Sequence, residues 1–314
     1  MDSRIKSQRP DGDINELKIL HIVPGTKDVS NGMVVVARLL AKEHGDAEVI
    51  DLNAGLNAVV RDDVEEVWVH GMWLPKEWRV CCAVLRSGKR LVRMTHGSLS
   101  PVYLKHQSPF KKRLVSPIEH DLLRRADKIV STSEVESDWI RAYEPRVKSI
   151  EITDLKRFFD LNHVDHAEQI EGRPLHLLYL GRRHPLKGLE FLEAAVKQIQ
   201  GSIYPACSTW LNKMELKVVN DAFGEEKEKV WLWCDVLVLP TLSENFGLAI
   251  AEALERGKKV ITTDGAPAWG DGNTYGGRLT YLKGYFEANA EKRVDMLKGA
   301  IEDLVISEKG SIVK

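Results

Sequence analysis

The strand–turn–helix pattern around residues 240–252, PTLSENFGLAIAE, is the feature of the sequence that most constrains the fold. The apolar run WLWCDVLVL before it predicts a buried strand. The run LAIAEALERG after it has apolar residues at helical spacing and ends at Gly257, a predicted helix stop. Residues 243–247 are therefore predicted to form a tight turn. In open α/β sheets, ligands bind at such turns, beyond the carboxyl ends of the strands.

The groups in this turn suit a phosphorylated sugar. Gly247 allows the backbone to approach a ligand closely, and the following helix presents free N–H groups and the positive end of its dipole to an anion. Glu244 and Glu252 stand on either side, and carboxylates accept hydrogen bonds from sugar hydroxyls. Both also have plain interpretations, because Glu244 could complement the helix dipole and Glu252 could simply be solvated.

Strand and helix patterns alternate along the whole chain, which predicts parallel sheets covered on both faces by helices. The predicted strands are 17–25, 47–53, 64–71, 89–97, 127–133, 147–152, 175–182, 216–221, one that begins near Val236, and 258–265. The predicted helices are 33–45, 76–88, 109–126, 134–143, 189–199 and 288–306. Pro117 is expected to kink or divide the third of these helices.

Length and composition limit the class of protein. The 314 residues suffice for two α/β domains, and a net charge of −1 argues against general nucleic-acid binding. The polar N-terminus lacks a signal-peptide pattern, no long uncharged apolar stretch predicts a membrane span, and four cysteines show no metal-binding spacing. We expect a cytoplasmic protein with reduced thiols. No G-x-G-x-x-G pattern supports a dehydrogenase.

A basic loop, GRRHPLKG at residues 181–188, follows another predicted strand. Arg182 or Arg183 could grip a diphosphate as a fork, and Lys187 could act as a point charge. The alternative is an ordinary solvated basic loop.

Three further motifs follow predicted strands in the first half of the chain. THGSLSP places His96 after a strand, where a lone histidine is more often structural. The loop 24–33 offers Gly25 or Gly32 for close approach to a ligand. In STSEVE, Ser133 and Glu136 are predicted to form a capping box, which suffices as an explanation.

Taken together, these motifs resemble those of the retaining glycosyltransferases of family 4. ENFGLAIAE is similar to the family's E-x7-E element, GRRHPLKG to its GR-x-x-x-x-K-G element, and THGSLSP to its HG-x-x-x-P element. The resemblance implies the GT-B architecture, which is α/β with two Rossmann-like doubly wound parallel-sheet domains facing across a cleft. We expect a domain on the acceptor side at 1–165, a nucleotide-sugar donor domain at 166–285, and a helix at 286–314 that could pack back on the first domain.

The resemblance also implies roles for individual residues. Arg182 and Lys187 would neutralise the leaving diphosphate, and Glu244 and His96 would contact the donor sugar. Glu252 would hold the ribose. The remaining expected donor-binding residues are Asn245, Phe246, Gly247, Leu248, Gly32 and Gly181. The positive charge of Arg182, Lys187 and the helix end implies a site without metal or cofactor, in which the nucleotide sugar is a substrate.

The expected activity is transfer of a hexose to a glycan or lipid-linked acceptor with retention of configuration, in surface polysaccharide or lipopolysaccharide assembly. Two alternatives stay open: a sugar-nucleotide-binding protein without turnover, and an epimerase acting on a nucleotide sugar. The sequence departs from the family between 200 and 215, where an apolar strand is expected and is not evident, so LKVVND could take its place.

Basic residues cluster between residues 76 and 113, with aromatic residues among them. Such a face suits peripheral contact with an anionic membrane, at the inner face of the plasma membrane, or with an acidic glycan. A solvated face is the plainer interpretation. The basic residues are Lys76, Arg79, Arg86, Lys89, Arg90, Arg93, Lys105, Lys111, Lys112 and Arg113, and the aromatic ones are Trp73, Trp78, Tyr103 and Phe110.

Overall fold

The chain divides into two compact units, Met1–Thr153 and Asp154–Lys314. The computed structural model describes residues 18–27, 31–45, 47–109, 111–162, 174–202, 214–220 and 222–312, without the side chains of 111–112 and 305–312. The domain boundary predicted after residue 165 lies outside the described residues. Phe110 and the side chains of Lys111 and Lys112 also lie outside the described residues. The same holds for most of the segment 200–215, in which the sequence departs from the family pattern.

The first unit is built on a parallel sheet with the strand order β2-β1-β3-β4-β5-β6. Its strands are β1 (Lys18–Val23), β2 (Glu48–Asp51), β3 (Val64–His70), β4 (Arg90–Met94), β5 (Lys128–Ser131) and β6 (Ile150–Ile152). Its helices are α1 (Gly32–Glu43), α2 (Gly55–Val59), α3 (Pro75–Arg86), α4 (Pro101–His106), α5 (Ser116–Arg125) and α6 (Glu134–Tyr143).

The central strands of this sheet are buried on both faces, but the faces differ in chemistry. On one face, Ile22 of β1 and Val67 and Val69 of β3 belong to the apolar core. On the other face, His21 of β1 lies opposite Trp68 of β3 in the parallel register. The chain order reverses between β1 and β3, so the loops after these strands flank the crevice where doubly wound sheets bind ligands.

The second unit repeats this plan with the strand order β11-β10-β9-β7-β8, again all parallel. Its strands are β7 (His176–Leu180), β8 (Glu215–Val219), β9 (Val236–Leu239), β10 (Lys259–Thr263) and β11 (Leu279–Leu282). Its helices are α7 (Leu189–Gln200), α8 (Gly224–Trp233), α9 (Leu248–Glu255) and α10 (Ala290–Ile312). The order reverses between β7 and β9. β8, which is the LKVVND segment, supplies the strand next to β7.

The strand predicted to begin near Val236 is confirmed as β9, but the apolar run WLWCDVLVL is not strand throughout, because its residues 231–233 end α8. The indole of Trp231 is buried (1% exposed), whereas its neighbour Leu232 is 82% exposed, a contrast that suits one turn of an amphipathic helix. Apolar content alone does not separate a short strand from the end of a helix.

Two other local predictions are confirmed. A π-helical turn, Lys111–Val115, precedes α5, and Pro117 lies in the first turn of α5, where its missing N–H costs nothing. The C-terminal amphipathic helix forms as α10 and packs against α7 of the same unit, with Leu297 and Ile301 buried. No helix or strand was predicted at α2, α4 or β11.

Gly188 allows the loop after β7 to lie against the end of β9. Its φ is +66°, and an added Cβ would lie 2.1 Å from the carbonyl oxygen of Pro240. We predict that Gly188→Ala lowers the free energy of unfolding by about 3 kcal/mol or more, because neither backbone can move aside without breaking sheet-edge contacts. Urea unfolding followed by circular dichroism measures the loss.

Gly45→Ala is the matched control for this substitution. Its φ is +74°, and among the described residues no heavy atom lies within 4 Å of an added Cβ. Its free energy of unfolding should therefore fall by only about 1–2 kcal/mol, the cost of placing alanine in the left-handed backbone conformation. Equal losses for the two variants would show that the contact with Pro240 does not matter.

Candidate active site

The loops after β7 and β9 are joined to each other by the backbone of Leu186. Its carbonyl oxygen accepts hydrogen bonds from the amide of Leu242 at 2.7 Å and from the hydroxyl of Thr241 at 3.2 Å. On the other side of the turn, the amide of Glu244 donates to the carbonyl of Gly265, after β10, at 2.8 Å. Three loops at one sheet edge are thus fixed together.

This arrangement brings together two of the predicted site residues. The ammonium group of Lys187 forms an ion pair with the carboxylate of Glu244, and both side chains are 21% exposed. Lys187 also donates to the carbonyl oxygen of Ser243 at 3.4 Å. A partly exposed cation and a partly exposed carboxylate therefore lie side by side between the ends of β7 and β9.

The turn that precedes α9 is anchored by Phe246. This side chain is 3% exposed and packs between Phe159 and Trp269, and its carbonyl oxygen accepts a hydrogen bond from the indole N–H of Trp269. Gly247 then caps the helix with φ +77° and accepts hydrogen bonds from the amides of Ile250 and Ala251. The ring of Phe246 is therefore part of the core, and only its backbone remains to face a ligand.

The backbone at the start of α9 is suited to an anion. The amides of Leu248 and Ala249 belong to the first helical turn, where no intrahelical acceptor is available. Asn245 and Leu248 are both partly exposed beside them. The first turn of α9 therefore has the local geometry of an oxyanion or phosphate site.

Glu252, one turn further along α9, pairs with a residue that sequence reasoning missed. Lys227 of α8 donates to its carboxylate at 2.7 Å, and the two side chains are 27% and 20% exposed. No local pattern links the two residues, because the contact depends on how two helices pack.

Arg182 stands apart from this ion pairing. Gly181 extends the pairing of β7 with β8, its amide donating to the carbonyl oxygen of Val219 at 2.9 Å. Arg182 follows and is exposed, and among the described residues its guanidinium has no partner. Arg183 instead contacts Glu193 of α7 at 3.7 Å. Arg182 is therefore the arginine left available to a ligand.

In the first unit, His96 follows β4 with φ +49° and is partly exposed. The loop around it is fixed by the carboxylate of Glu136, which accepts hydrogen bonds from the amide of Gly97 at 2.7 Å and the hydroxyl of Thr95 at 2.8 Å. Ser133 does cap α6, accepting from the amide of Glu136 at 3.1 Å. The carboxylate, however, serves the His96 loop and Thr132 rather than completing the predicted capping box.

Gly32 is the exposed first residue of α1, behind the cap residue Asn31. The loop before it is held by Asp51, whose carboxylate accepts from the amides of Gly25 and Thr26 at 3.0 Å each. Hydrogen bonds, the largest from the Asn53 backbone, lower the pKa of Asp51. Residues 28–30 of this loop lie outside the described residues.

Histidine rings cluster behind His96. His21 and His70 are fully buried, and a ring nitrogen of His70 lies 2.9 Å from one of His96. Burial is the main cause that lowers the pKa of His21 to about 3 and that of His96 to about 3, and it brings the pKa of His70 well below its ordinary value. These imidazoles are therefore neutral at pH 7.

A known sequence family matches most of the second unit. Residues 174–298 are similar to the family described as Glycosyl transferases group 1. The matched segment contains β7 to β11 and every predicted site residue of the second unit. No curated protein sequence matches the chain.

Solved structures with the same fold cover both units. The sucrose-phosphate synthase of Thermosynechococcus elongatus is 16% identical, with a TM-score of 0.65 over 91% of this chain and 90% of that one. The HepE protein of Anabaena, solved with UDP and glucose, is 16% identical, with a TM-score of 0.58 over 92% and 90%. A UDP-forming trehalose-phosphate synthase of Burkholderia vietnamiensis is 10% identical, with a TM-score of 0.58 over 92% and 91%. The predicted α/β fold class, GT-B, is confirmed.

None of the helices in the described ranges combines the length and the apolar character needed to cross a membrane. In the same ranges, no three His, Cys, Asp or Glu side chains are arranged to hold a metal ion.

The buried histidines predict that the protein loses stability in mild acid. Unfolding exposes imidazoles that bind protons near pH 6.5, whereas His21, His70 and His96 stay neutral when folded. Their stabilisation is therefore complete above about pH 6.5 and is lost as the pH falls. Glu77 acts in the opposite direction, because burial raises its pKa to about 7. The three histidines bind three protons on unfolding and Glu77 releases one, so unfolding takes up two protons. The free energy of unfolding therefore falls by about 2.7 kcal/mol for each pH unit of acidification.

Urea unfolding midpoints between pH 7 and pH 5 measure this slope. The variant His106→Gln removes an exposed histidine of α4 and should leave the slope unchanged. A midpoint that does not vary with pH in this window would contradict the burial of neutral imidazoles.

Proposed function

We propose that this protein is a glycosyltransferase that moves a hexose from a nucleotide-diphosphate sugar to a hydroxyl of a glycan. The observation that carries the proposal is the ion pair of Lys187 with Glu244, between the ends of β7 and β9 and within the matched segment 174–298. It places a cation for the diphosphate beside a carboxylate for sugar hydroxyls, at the point of the sheet where ligands bind.

The positive groups act on the leaving diphosphate. Charge develops on the β-phosphate oxygen bound to the anomeric carbon as that C–O bond breaks, and fixed donors stabilise this charge best. We assign this role to Arg182, which has no partner among the described residues, to Lys187, and to the first-turn amides of α9. Gly181 and Gly247 allow backbone to come close to the phosphates.

The carboxylates orient the donor. Glu244 would accept hydrogen bonds from hydroxyls of the sugar. Glu252, held by Lys227, would accept hydrogen bonds from hydroxyls of the ribose. Asn245 and Leu248 would bind the donor through their backbone N–H groups. Phe246 would do the same, because its ring is buried. Retention of configuration and membership of family 4 belong to this proposal.

The acceptor class that fits the proposal is a free or lipid-linked glycan in surface polysaccharide or lipopolysaccharide assembly, on the cytoplasmic side of the membrane. The match of residues 174–298 and the HepE structure with UDP and glucose support a nucleotide sugar as donor. A binding protein without turnover and a nucleotide-sugar epimerase would use the same donor groups, so the assay has to separate all three.

Glu244→Gln tests the carboxylate with little change in shape. We predict that kcat for nucleotide release in the presence of acceptor falls on the order of 100-fold, because a donor-orienting contact is lost where the transition state forms. The donor is chosen beforehand by thermal-shift screening of UDP-, GDP- and ADP-sugars. A ligand at 100 times its Kd adds about 2.7 kcal/mol to stability.

Glu193→Gln is the matched control, since this carboxylate lies on α7 and pairs only weakly with Arg183, at 3.7 Å. Its nucleotide release should equal that of the wild type. Donor binding without release under any acceptor would instead establish the non-catalytic binder, and an altered sugar nucleotide formed without acceptor would establish the epimerase.

The predicted basic and aromatic face needs correction. Arg93 is fully buried and bonds to Glu119 at 3.3 Å, and Trp73 is 4% exposed. Trp78 and Tyr103 pack against the core of the first unit. Arg93 and Trp73 are therefore structural and cannot meet a membrane, whereas Trp78 and Tyr103 are partly buried. A smaller apolar surface is formed by Leu114 and Ile118, which are 54% and 38% exposed and lie one helical turn apart.

We propose that this smaller surface, with the exposed basic residues around it, makes peripheral contact with anionic lipid. The double variant Leu114→Ser with Ile118→Ser is predicted to reduce co-sedimentation with anionic vesicles several-fold, because it removes the groups that enter the interface. Leu232→Ser, which changes an 82% exposed leucine of the other unit, is the control. The proposal would be contradicted if the double variant bound vesicles as well as the Leu232→Ser control does. It would also be contradicted if the wild type showed no preference for anionic over neutral vesicles.

A further inference from the structure

The indole of Trp269 is bonded to the turn that precedes α9. Trp269 ends the short turn Pro267–Trp269 after β10 and is 1% exposed. Its indole N–H donates to the carbonyl oxygen of Phe246, and its ring packs on the ring of Phe246 at 5.4 Å between centroids. The backbone amide of Trp269 donates to the carbonyl oxygen of Ala266 at 3.1 Å. The core of the second unit therefore fixes the place of the indole N–H.

This hydrogen bond sets the orientation of one peptide group. The bond between Phe246 and Gly247 is trans, so its C=O and its N–H point in opposite directions. Because the carbonyl points to the buried indole, the N–H of Gly247 points to the other side of the turn. A rotation of this peptide by half a turn would meet little steric resistance, since glycine adopts either sign of φ. Trp269 thus selects one of two orientations.

The N–H of Gly247 is a donor without an acceptor among the described residues. Gly247 is buried, with φ +77°, and its amide makes no hydrogen bond to that part of the chain. A buried N–H without an acceptor costs free energy and is rare in folded proteins. An added Cβ on Gly247 would lie 3.4 Å from Cγ of Glu244, whose carboxylate pairs with Lys187. The donor therefore borders the charges of the candidate site.

Other contacts hold the indole and the turn in place. Phe159 packs on the ring of Phe246 at 6.0 Å, and Tyr275 meets the indole edge-on at 5.8 Å. The ammonium group of Lys156 lies 5.3 Å from the centre of the indole and pairs with Asp271 at 2.5 Å. All of these residues belong to the second unit. Removing only the indole N–H should therefore leave the packing of the turn in place.

We propose that Trp269 is a positioning residue of the candidate site, which holds the Phe246–Gly247 peptide so that the N–H of Gly247 binds the diphosphate of the donor. The inference rests on the proposed function. Trp269 acts through this peptide and not by contact with the substrate. An N–H that is fixed in advance stabilises charge on the diphosphate without having to reorient. Without the indole N–H, the carbonyl of Phe246 would be free to turn toward the phosphates and repel them.

NMR can observe the Gly247 amide directly, because the sequence contains two Phe-Gly pairs, Phe223-Gly224 and Phe246-Gly247. Labelling the full chain with carbonyl-13C phenylalanine and 15N glycine therefore gives two amide signals that couple to a labelled carbonyl. Phe223→Tyr removes one of them and assigns the other to Gly247. The probe is whichever of UDP, GDP and ADP binds the wild type most tightly by calorimetry. On binding, it should move the amide proton of Gly247 downfield.

Trp269→Phe removes the N–H and keeps an aromatic ring against Phe246. We predict that it raises the Kd of the nucleotide about tenfold and reduces the downfield shift of Gly247, because the peptide is no longer held. Trp231→Phe is the matched control, since this indole is also 1% exposed and its N–H has no partner among the described residues. The control should keep the wild-type Kd and the wild-type shift.

A wild-type Kd and a wild-type Gly247 shift in folded Trp269→Phe would overturn the inference. That result would reduce Trp269 to a structural residue, whose loss lowers the urea midpoint alone. Nucleotide binding that leaves the wild-type Gly247 signal unmoved would also overturn it, and this measurement does not depend on the folding of any variant. If none of the three nucleotides bound the wild type, the proposed function would fall and the inference with it. Binding with an unmoved Gly247 amide defeats the inference alone.

Discussion

The candidate site depends on one carbonyl group more than on any side chain. Leu186 O accepts two hydrogen bonds from the segment after β9, and this fixes the neighbouring Lys187 where its ammonium group meets Glu244. The close approach is possible because Gly188 has no Cβ to meet the carbonyl of Pro240. Parallel pairing of β7 with β9 brings the two loops to the same edge, and the backbone bonds then set the distance between the charges.

Sequence reasoning found the parts of this site that local patterns encode. An apolar run followed by a glycine-containing turn and a helical repeat located Glu244 and Gly247, and a basic loop after a strand located Lys187. The contacts of Lys227 with Glu252 and of Trp269 with Phe246 could not be foreseen, because each joins elements through tertiary packing. The helical conformation of residues 231–233 has the same origin, since packing of Trp231 decides between helix and strand.

The two units handle buried polarity in different ways. In the first, Glu136 is buried and satisfied by amide and hydroxyl donors of two loops, and Arg93 lies against Glu119 with no exposed surface. In the second, the ion pairs of Lys187 and Lys227 keep about a fifth of their surface in water. Buried pairs that lose a partner are costly, whereas partly exposed pairs exchange partners readily. The second arrangement suits groups that must release one another to bind a charged ligand.

Strand parity and register explain how four histidines come into one hydrogen-bonded line, His44–His21–His70–His96. Trp68 and His70 alternate along β3 and so share a face, and His21 of β1 lies opposite Trp68 on that same face. A one-residue slip between β1 and β3 would place His21 in the apolar core and break this line. A buried imidazole without a partner would cost free energy, but here His21 and His70 each use both nitrogens on other imidazoles. Because these bonds need only neutral rings, the histidines can be buried without placing a charge in the interior.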